Sequence, residues 1–340
     1  MKRVLAICTT AIGDLMFCTP AIAALARAHG RVDMISHARR ATLLKHNHHI
    51  ENLYTFRTNP IQQKLLAWKL RKKHYDMVAI LHANRSVLDL LPHLHYEQAF
   101  HIAADWGDRP DLRLKAIARP SELHVIDLPL LVARACGAET PALTERVPQL
   151  FLTNNELDNA RRWLIKRKVD LDRPIVGLVV GGTEENKRWP VENFARLAMA
   201  LHENGVQVVV IGSGNEKKLL YAMRAMGACN LLPAFAVDLR LLSSLIKYCK
   251  LLVSNDTGPL HLAHALRVPS VSFYGPHDPR EHIARYEGHL IFSARSQLSQ
   301  ENKDHIMTLI PFAPVWRAVE RTLRENQLPP TKIIEADNKD

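Results

Sequence analysis

The stretch from Leu251 to Pro279, LLVSNDTGPLHLAHALRVPSVSFYGPHDP, decides the fold of this chain. Its apolar start predicts a short strand, and the run from Pro269 to Tyr274 predicts a second strand. Between them lies a predicted helix, with Pro259 at its first position, where a missing N–H costs nothing, and Asp256 at its N-cap. The pattern is therefore βαβ-like, and its ligand is expected at the carboxyl ends of the strands.

The turn before this helix predicts an anion site. Thr257 and Gly258 would direct backbone N–H groups, together with the positive end of the helix dipole, towards a ligand. His261 follows one helical turn along, on the same face. A simpler interpretation is that the turn only caps a structural helix, and the segment alone gives even odds between the two.

Length and periodicity extend this unit to the whole chain. With 340 residues, the chain is long enough for two domains. We place an N-terminal domain at residues 1–150, a linker at 151–172, a C-terminal domain at 173–328 and a loose tail at 329–340. Strand and helix patterns alternate in both domains. This predicts an α/β fold with two Rossmann-like, doubly wound parallel sheets facing each other across a cleft.

The charge of the chain is unevenly distributed. The formal net charge is +11, and residues 1–150 alone carry 20 basic and 13 acidic side chains, with 11 of the 18 histidines. A basic domain indicates an anionic partner: nucleic acid, a phosphorylated ligand or an acidic membrane surface. An ordinary basic surface would explain the charge equally well. Nucleic acid is the weakest of these interpretations, because the cations are not interleaved with aromatic residues and no reading motif is present.

The cysteines and histidines predict neither disulfides nor a metal site. There are five cysteines, an odd number without a C-x-x-C pair, which is typical of a reduced cytosolic protein. The closely spaced histidines lack partnering cysteines or carboxylates at zinc spacing, so we predict no metal. No apolar run is long and uncharged enough to span a membrane, and only association with a membrane surface is left open.

The loop after the first predicted strand offers a candidate general base. Thr9–Asp14 joins the apolar run Val4–Ile7 to a helical pattern, and Gly13 lets the backbone turn tightly before Asp14. A carboxylate in a partly desolvated cleft is a plausible base. An N-cap for the following helix is an equally good interpretation of the same aspartate.

Two loops of the C-terminal half fall at strand-to-helix junctions, where a ligand should lie. Gly181–Pro190, GGTEENKRWP, combines glycines that allow close backbone approach with Lys187 and Arg188 for a diphosphate; the alternative is a polar surface loop. Gly212–Glu216, GSGNE, lacks the third glycine of a dinucleotide fingerprint, so NAD binding is poorly supported. Glu216 could accept hydrogen bonds from a ribose or simply favour its helix N-terminus.

With these motifs assembled, the chain resembles the heptosyltransferases of bacterial lipopolysaccharide synthesis, glycosyltransferase family 9. The likeness covers most of residues 1–320 and rests on five motifs: Ile12–Asp14, Lys187–Pro190, Gly212–Glu216, Asn255–Ala263 and Phe273–Pro276. The resemblance implies a two-domain GT-B architecture and an inverting transfer of heptose from ADP-heptose, without a metal or another cofactor. It implies an acidic inner-core acceptor, Kdo-lipid A or a heptosylated form, at the inner face of the cytoplasmic membrane.

The resemblance also implies roles for individual residues. Asp14 matches the base and Lys187 the lysine on the donor phosphates, and both are expected to be catalytic. The expected donor-binding residues are Thr183, Lys187, Arg188, Glu216, Asp256, Thr257, Gly258 and His261. The expected acceptor-binding residues are Thr10, Gly13, Asn84, Arg85 and Ser86.

Two departures from the family pattern flank the donor site. Gly181-Gly182-Thr183 replaces a small Ala/Ser pattern, and His277 stands where a threonine is common. The sequence therefore leaves two rival interpretations: a GT-B transferase that uses a UDP-sugar, and a non-catalytic nucleotide-binding protein of the same fold. The partners we expect are a sugar nucleotide and an acidic lipopolysaccharide precursor, with peripheral membrane contact and no nucleic acid.

Overall fold

The chain forms two compact units, Met1–Phe151 and Leu152–Asp340. The computed structural model describes residues 1–102, 106–120, 123–182, 184–282, 286–325 and 330–336. Among the helices within these ranges, none combines the length and the apolar character needed to cross a membrane.

The first unit is built on a six-stranded parallel sheet. Its strands are β1 (Val4–Cys8), β2 (Val32–His37), β3 (Ile50–Phe56), β4 (His74–His82), β5 (His95–His101) and β6 (Leu114–Ala116), in the order β3-β2-β1-β4-β5-β6. Its helices are α1 (Ile12–His29), α2 (Pro60–Leu70) and α3 (Asp127–Ala135). β1 is buried at every position, as its apolar sequence requires of a strand in the middle of a parallel sheet. The order reverses between β1 and β4, so the carboxyl ends of these two strands form the switch point where ligands bind in such sheets.

The second unit repeats this plan with a seven-stranded sheet. Its strands are β7 (Ile175–Val179), β8 (Gln207–Gly212), β9 (Leu231–Phe235), β10 (Leu251–Asn255), β11 (Ser270–Tyr274), β12 (His289–Ser293) and β13 (Lys332–Glu335), in the order β13-β12-β11-β10-β7-β8-β9. Its helices are α4 (Asn154–Ile165), α5 (Val191–Glu203), α6 (Lys217–Ala225), α7 (Leu239–Tyr248), α8 (Gly258–Ala265) and α9 (Phe312–Arg324). The strand pairs are parallel throughout, and the switch point lies between β7 and β10.

Helix α4 lies inside the segment that we interpreted as a linker. Thr153 caps its first turn, accepting a hydrogen bond from the Glu156 N–H at 3.3 Å. The guanidinium of Arg240, on α7, donates to both carboxylate oxygens of Glu156, at 2.7 and 2.6 Å. These hydrogen bonds lower the pKa of Glu156 to about 2. The ion pair fixes α4 on α7, so α4 is part of the second unit.

The C-terminal segment differs from the loose tail that we predicted. Residues Lys332–Glu335 form β13, which pairs in parallel with β12 at the edge of the sheet. The Ala336 N–H continues this ladder by donating to the Ser293 carbonyl at 2.6 Å. The prediction of a loose tail is therefore wrong for these residues, because the chain returns to an open sheet edge whose backbone groups need partners.

Candidate active site

At the switch point of the first sheet, Asp14 meets a histidine that the sequence analysis did not single out. His82 ends β4 and lies opposite Cys8, the last residue of β1. Its Nδ1 is 2.8 Å from the Thr10 Oγ1 and 3.7 Å from the Asp14 Oδ2. The signal for it was present in the sequence, since His82 is the polar residue that directly follows the apolar run Met77–Leu81.

Asp14 is not the N-cap of α1, because Ala11 occupies that position, and its role as a base stays a prediction. It occupies the third position of α1, and its Oδ2 accepts a hydrogen bond from the Ala11 N–H at 3.0 Å. A carboxylate at this position is favoured by the positive end of the helix dipole. The side chain is nevertheless about one-third exposed. Asp14 therefore stabilises the first turn of its helix and presents a carboxylate at the carboxyl edge of the sheet.

The expected acceptor residues after β4 lie beside a polar cavity. Asn84 donates its backbone N–H to the Thr9 hydroxyl at 3.4 Å, which joins this segment to the loop after β1. Arg85 and Ser86 follow and line a cavity of about 690 Å³ whose other walls include His93, Arg109 and Asp111. Gly13 is instead buried in the first turn of α1.

In the second unit, Asp256 is not the N-cap of α8 that we predicted. The helix begins at Gly258, and Thr257 occupies the N-cap position. The Asp256 carboxylate turns towards the loop after β11 instead, where it accepts a hydrogen bond from the His277 Nδ1 at 3.0 Å. It lies 3.7 Å from the His261 Nε2, and burial together with the charge of Asp256 raises the pKa of Tyr274.

The electrostatics of Asp256 follow from these neighbours. Burial opposes its ionisation, but the hydrogen bond from His277 and the electrostatic influence of His261 and His282 outweigh burial and lower its pKa. The Asp256 carboxylate therefore stabilises the turn through its contacts with His277 and His261. The backbone N–H groups at the start of α8, from Thr257 and Gly258 onwards, have no acceptor inside the helix, an arrangement that favours an anion at this turn.

Glu216 joins two of the predicted loops. Its Oε1 accepts the Gly182 N–H at 2.8 Å, and its Oε2 accepts the Ser213 N–H at 2.6 Å. A Cβ at position 181 would lie 1.7 Å from the Glu216 carboxylate, so a larger residue there would have to displace this carboxylate from its hydrogen bonds. Glu216 thus has a structural function that sequence reasoning missed, since it holds the loop after β7 against the loop after β8. The ribose contact stays a prediction.

Asn255 joins the loop after β7 to the turn that precedes α8. It is fully buried; its Oδ1 accepts the Trp189 N–H at 2.9 Å, and its Nδ2 donates to the Gly181 carbonyl at 2.9 Å. Trp189 is anchored in turn, since its Nε1 donates to the Ile310 carbonyl at 2.9 Å and its ring stacks on Phe273. Asn255 was part of a motif, but no role was predicted for it.

The two cations of the loop after β7 differ in their surroundings. Arg188 donates its Nε and Nη2 to the Gly182 carbonyl, at 2.9 and 2.6 Å, so it holds the loop rather than extending from it. Lys187 forms an ion pair with Glu184. The remaining expected donor contact, Thr183, lies outside the described residues.

The site contains no clustered metal ligands in the part of the chain that the structure describes. Within those ranges, no group of three or more His, Cys, Asp or Glu side chains is arranged to hold a metal ion. The expectation of a metal-free reaction stays a prediction.

Comparisons with known proteins identify the family of the chain. The family model "Glycosyltransferase family 9 (heptosyltransferase)" matches residues 65–307. Lipopolysaccharide heptosyltransferase 2 of Salmonella typhimurium is 37% identical over 232 residues, which cover 64% of this chain and 65% of that relative. The chain is thus matched to just under two thirds of that relative's length.

Two solved structures share the fold. A glycosyl transferase of family 9 from Veillonella parvula has a TM-score of 0.85 at 19% identity, covering 95% of this chain and 97% of its own. E. coli heptosyltransferase WaaC with ADP-2-deoxy-2-fluoro heptose has a TM-score of 0.67 at 20% identity, covering 96% and 100%. These likenesses confirm the predicted class of two parallel-sheet α/β units found in GT-B heptosyltransferases. The chain belongs to glycosyltransferase family 9, the heptosyltransferase family.

Proposed function

We propose that this chain is an inverting glycosyltransferase that moves a heptose from ADP-heptose to an acidic inner-core acceptor of lipopolysaccharide. Membership of family 9 supports the reaction class. The name of the Salmonella relative supports lipopolysaccharide as the pathway, and the ADP-heptose analogue in the WaaC structure supports the donor. The observation that carries the proposal is the joining of three loops around the N-terminus of α8 by Glu216 and Asn255.

The carboxyl edge of the second sheet is the proposed donor site. Thr257 and Gly258 offer backbone N–H groups and the helix dipole to the diphosphate, and the Lys187 ammonium exchanges Glu184 for a phosphate oxygen. Glu216 keeps lone pairs for ribose hydroxyls while it holds the two loops. We retain Thr183, His261 and Asp256 as donor-site residues. Asp256 acts indirectly, through the turn that it organises. Arg188 also acts indirectly, by fixing the Gly182 carbonyl.

The carboxyl edge of the first sheet is the proposed acceptor site. Asp14 is the base, and the oxygen that does not cap Ala11 is the one available to an acceptor hydroxyl. Thr10, Asn84, Arg85 and Ser86 are proposed to contact the acceptor, and Gly13 contributes through its backbone alone. The basic character of residues 1–150 favours a phosphorylated and carboxylated acceptor.

The proposed reaction is a single displacement. The acceptor oxygen attacks the anomeric carbon of the heptose while Asp14 takes its proton, and the bond to the donor phosphate breaks with its electron pair moving to ADP. The configuration at the anomeric carbon is inverted. Negative charge grows on the departing diphosphate, where the N-terminus of α8 and Lys187 stabilise it, so neither a metal nor another cofactor is required.

The proposed location follows from the acceptor. A lipid-anchored core precursor requires an enzyme at the cytoplasmic face of the inner membrane, in peripheral contact with it. No nucleic-acid partner is expected.

A transfer assay with the purified chain tests this function. Incubation with ADP-heptose and Kdo-lipid A, or a heptosylated core acceptor, should add one heptose to the acceptor, which mass spectrometry detects. Thermal shifts with ADP and UDP separate the UDP-sugar alternative, because only the cognate nucleotide stabilises the folded chain. Stabilisation by ADP without transfer to any core acceptor would favour the non-catalytic alternative.

A further inference from the structure

Helix α2 exposes an apolar stripe on the surface of the first unit. Ile61, Leu65 and Trp68 follow one another at helical spacing, and they are 69%, 52% and 60% exposed. Together with Lys64 they line a shallow surface pocket of about 380 Å³. Large apolar side chains that are grouped on one face and left exposed mark a binding surface, whereas scattered ones do not.

The opposite face of the same helix fixes it in place. Gln63, Leu66, Ala67 and Leu70 are buried against the unit. The Asn59 side chain caps the first turn, accepting the N–H groups of Ile61 and Gln62 at 2.9 and 3.3 Å. The helix is thus formed and oriented without a partner, and the apolar stripe is a preformed feature of the surface.

Basic residues surround the stripe. The segment from Arg57 to Lys73 contains six Lys or Arg residues and no Asp or Glu. Lys73 is bound to Asp33, but Lys64, Lys69, Arg71 and Lys72 are exposed. The guanidinium of Arg71 lies 4.1 Å from the centre of the Trp68 ring and donates to the Trp68 carbonyl at 2.7 Å. A tryptophan at the end of an apolar stripe with cations next to it is typical of a helix that lies in a membrane interface.

We propose that α2 docks the protein on an anionic lipid bilayer, with Ile61, Leu65 and Trp68 inserted at the level of the acyl chains and the surrounding cations on the lipid headgroups. The charges argue against a second copy of this chain as the occupant, because a symmetric contact would bring two sets of like charges together. The inference deepens the proposed function, since α2 follows β3 in the unit that carries Asp14 and would hold that unit at the surface where a lipid-anchored acceptor resides.

Vesicle co-sedimentation of the full chain tests the proposal without donor or acceptor. We expect binding to vesicles that contain phosphatidylglycerol to exceed binding to pure phosphatidylcholine by at least about tenfold, and to weaken with salt. The triple variant Ile61→Ser, Leu65→Ser, Trp68→Ser should lose at least about tenfold in affinity. The matched control is Leu143→Ser, which removes an apolar side chain of the same unit that is 61% exposed and should bind as the parent does.

A second pair of variants tests the cations. Replacing Lys69 and Lys72 with Gln should weaken binding to the anionic vesicles by about 25-fold, since each cation near an anionic surface contributes about fivefold. Replacing Lys166 and Lys303 with Gln should leave vesicle binding unchanged, because both lysines are exposed in the second unit. Failure of the parent to bind anionic vesicles, or unchanged binding of the triple variant, would overturn the proposal. The proposal would also be overturned if the parent were a dimer and the triple variant a monomer, because the apolar stripe would then bind a second copy of the chain.

The test of membrane docking can fail independently of the test of heptose transfer. With an acceptor whose acyl chains have been removed, the triple variant should transfer heptose at the parent rate. If the parent does not transfer heptose, the proposed reaction is contradicted, but the result of the vesicle experiment is unaffected. Intact transfer together with absent vesicle binding would overturn only the docking surface.

Discussion

Replacing Asn255 with Ala tests how the loops at the carboxyl edge of the second sheet, the proposed donor site, are held together. The change removes the acceptor of the Trp189 N–H and the donor to the Gly181 carbonyl, both at 2.9 Å in a fully buried position. Each of the two buried groups that is left without a partner costs about 1–3 kcal/mol, so we expect the free energy of unfolding of the second unit to fall by about 2–6 kcal/mol. In a unit of this size each kcal/mol lowers the melting temperature by about 2–4 °C, so the melting temperature should fall by about 4–24 °C, which calorimetry of the full chain measures.

The same substitution should also weaken ADP binding. Asn255 fixes the loop that carries Lys187, and the loss of one charge-assisted phosphate contact reduces affinity by about 10- to 100-fold, measurable by titration calorimetry below the melting temperature. Asn204→Ala is the control, because Asn204 donates one exposed hydrogen bond within its own helix, to the Ala200 carbonyl. The reasoning is refuted if Asn255→Ala melts and binds ADP as the control does.

Three further predictions concern other residues of the two units. Lys187→Ala should weaken ADP binding by about 10- to 100-fold, because a phosphate contact is lost, whereas Lys303→Ala should leave it unchanged; equal affinities for the two variants would show that the lysine does not bind the donor. His82→Ala should lower kcat by about tenfold with ADP affinity unchanged, since Asp14 loses the group beside its Oδ2; His74→Ala, at the other end of the same strand, is the control, and equal kcat values would count against a positioning role. Glu156 ionises more readily in the folded chain than in the unfolded chain, so its stabilising effect is fully present above about pH 4.5 and is lost as the pH falls towards about 2. Glu156→Gln should therefore destabilise the chain at pH 7 by about 2 kcal/mol and much less near pH 3, and an equal effect at both pH values would contradict this assignment.

Strands that consist of apolar residues throughout could be predicted from the sequence, whereas strands that mix polar and apolar residues could not. Central strands such as β1 and β7 are continuous apolar runs, because both of their faces are covered. The strands that the sequence analysis missed are of a different kind. β5, HYEQAFH, mixes polar and apolar residues, and β9 contains Pro233, which is tolerated because β9 is an edge strand.

The candidate site was predictable to the extent that its residues follow strand ends. Asp14 and the loops after β7 and β8 were found in this way, since the carboxyl ends of parallel strands carry the ligand site. The contact between Asp256 and His277 was not, because the two residues are 21 positions apart and meet only through the pairing of β10 with β11. Local sequence favoured an N-cap for Asp256, and the long-range contact with His277 replaced it.

The roles of Glu216 and Asn255 were missed for a related reason. Each makes hydrogen bonds to backbone groups of another loop, and backbone donors and acceptors leave no signature in a sequence. A pattern can therefore name the residue types at a site, whereas the side chains that tie its loops together emerge only from the fold.

The central claim is that the Asp14 carboxylate takes the proton from the acceptor hydroxyl during heptose transfer. The most direct measurement is the single-turnover rate of heptose transfer from ADP-heptose, followed by mass spectrometry, for the parent and for Asp14→Asn. Asparagine keeps the shape of the side chain but cannot accept this proton. We expect the rate to fall by at least about a hundredfold while ADP affinity and melting temperature change little. A variant that transfers heptose at close to the parent rate would contradict the account.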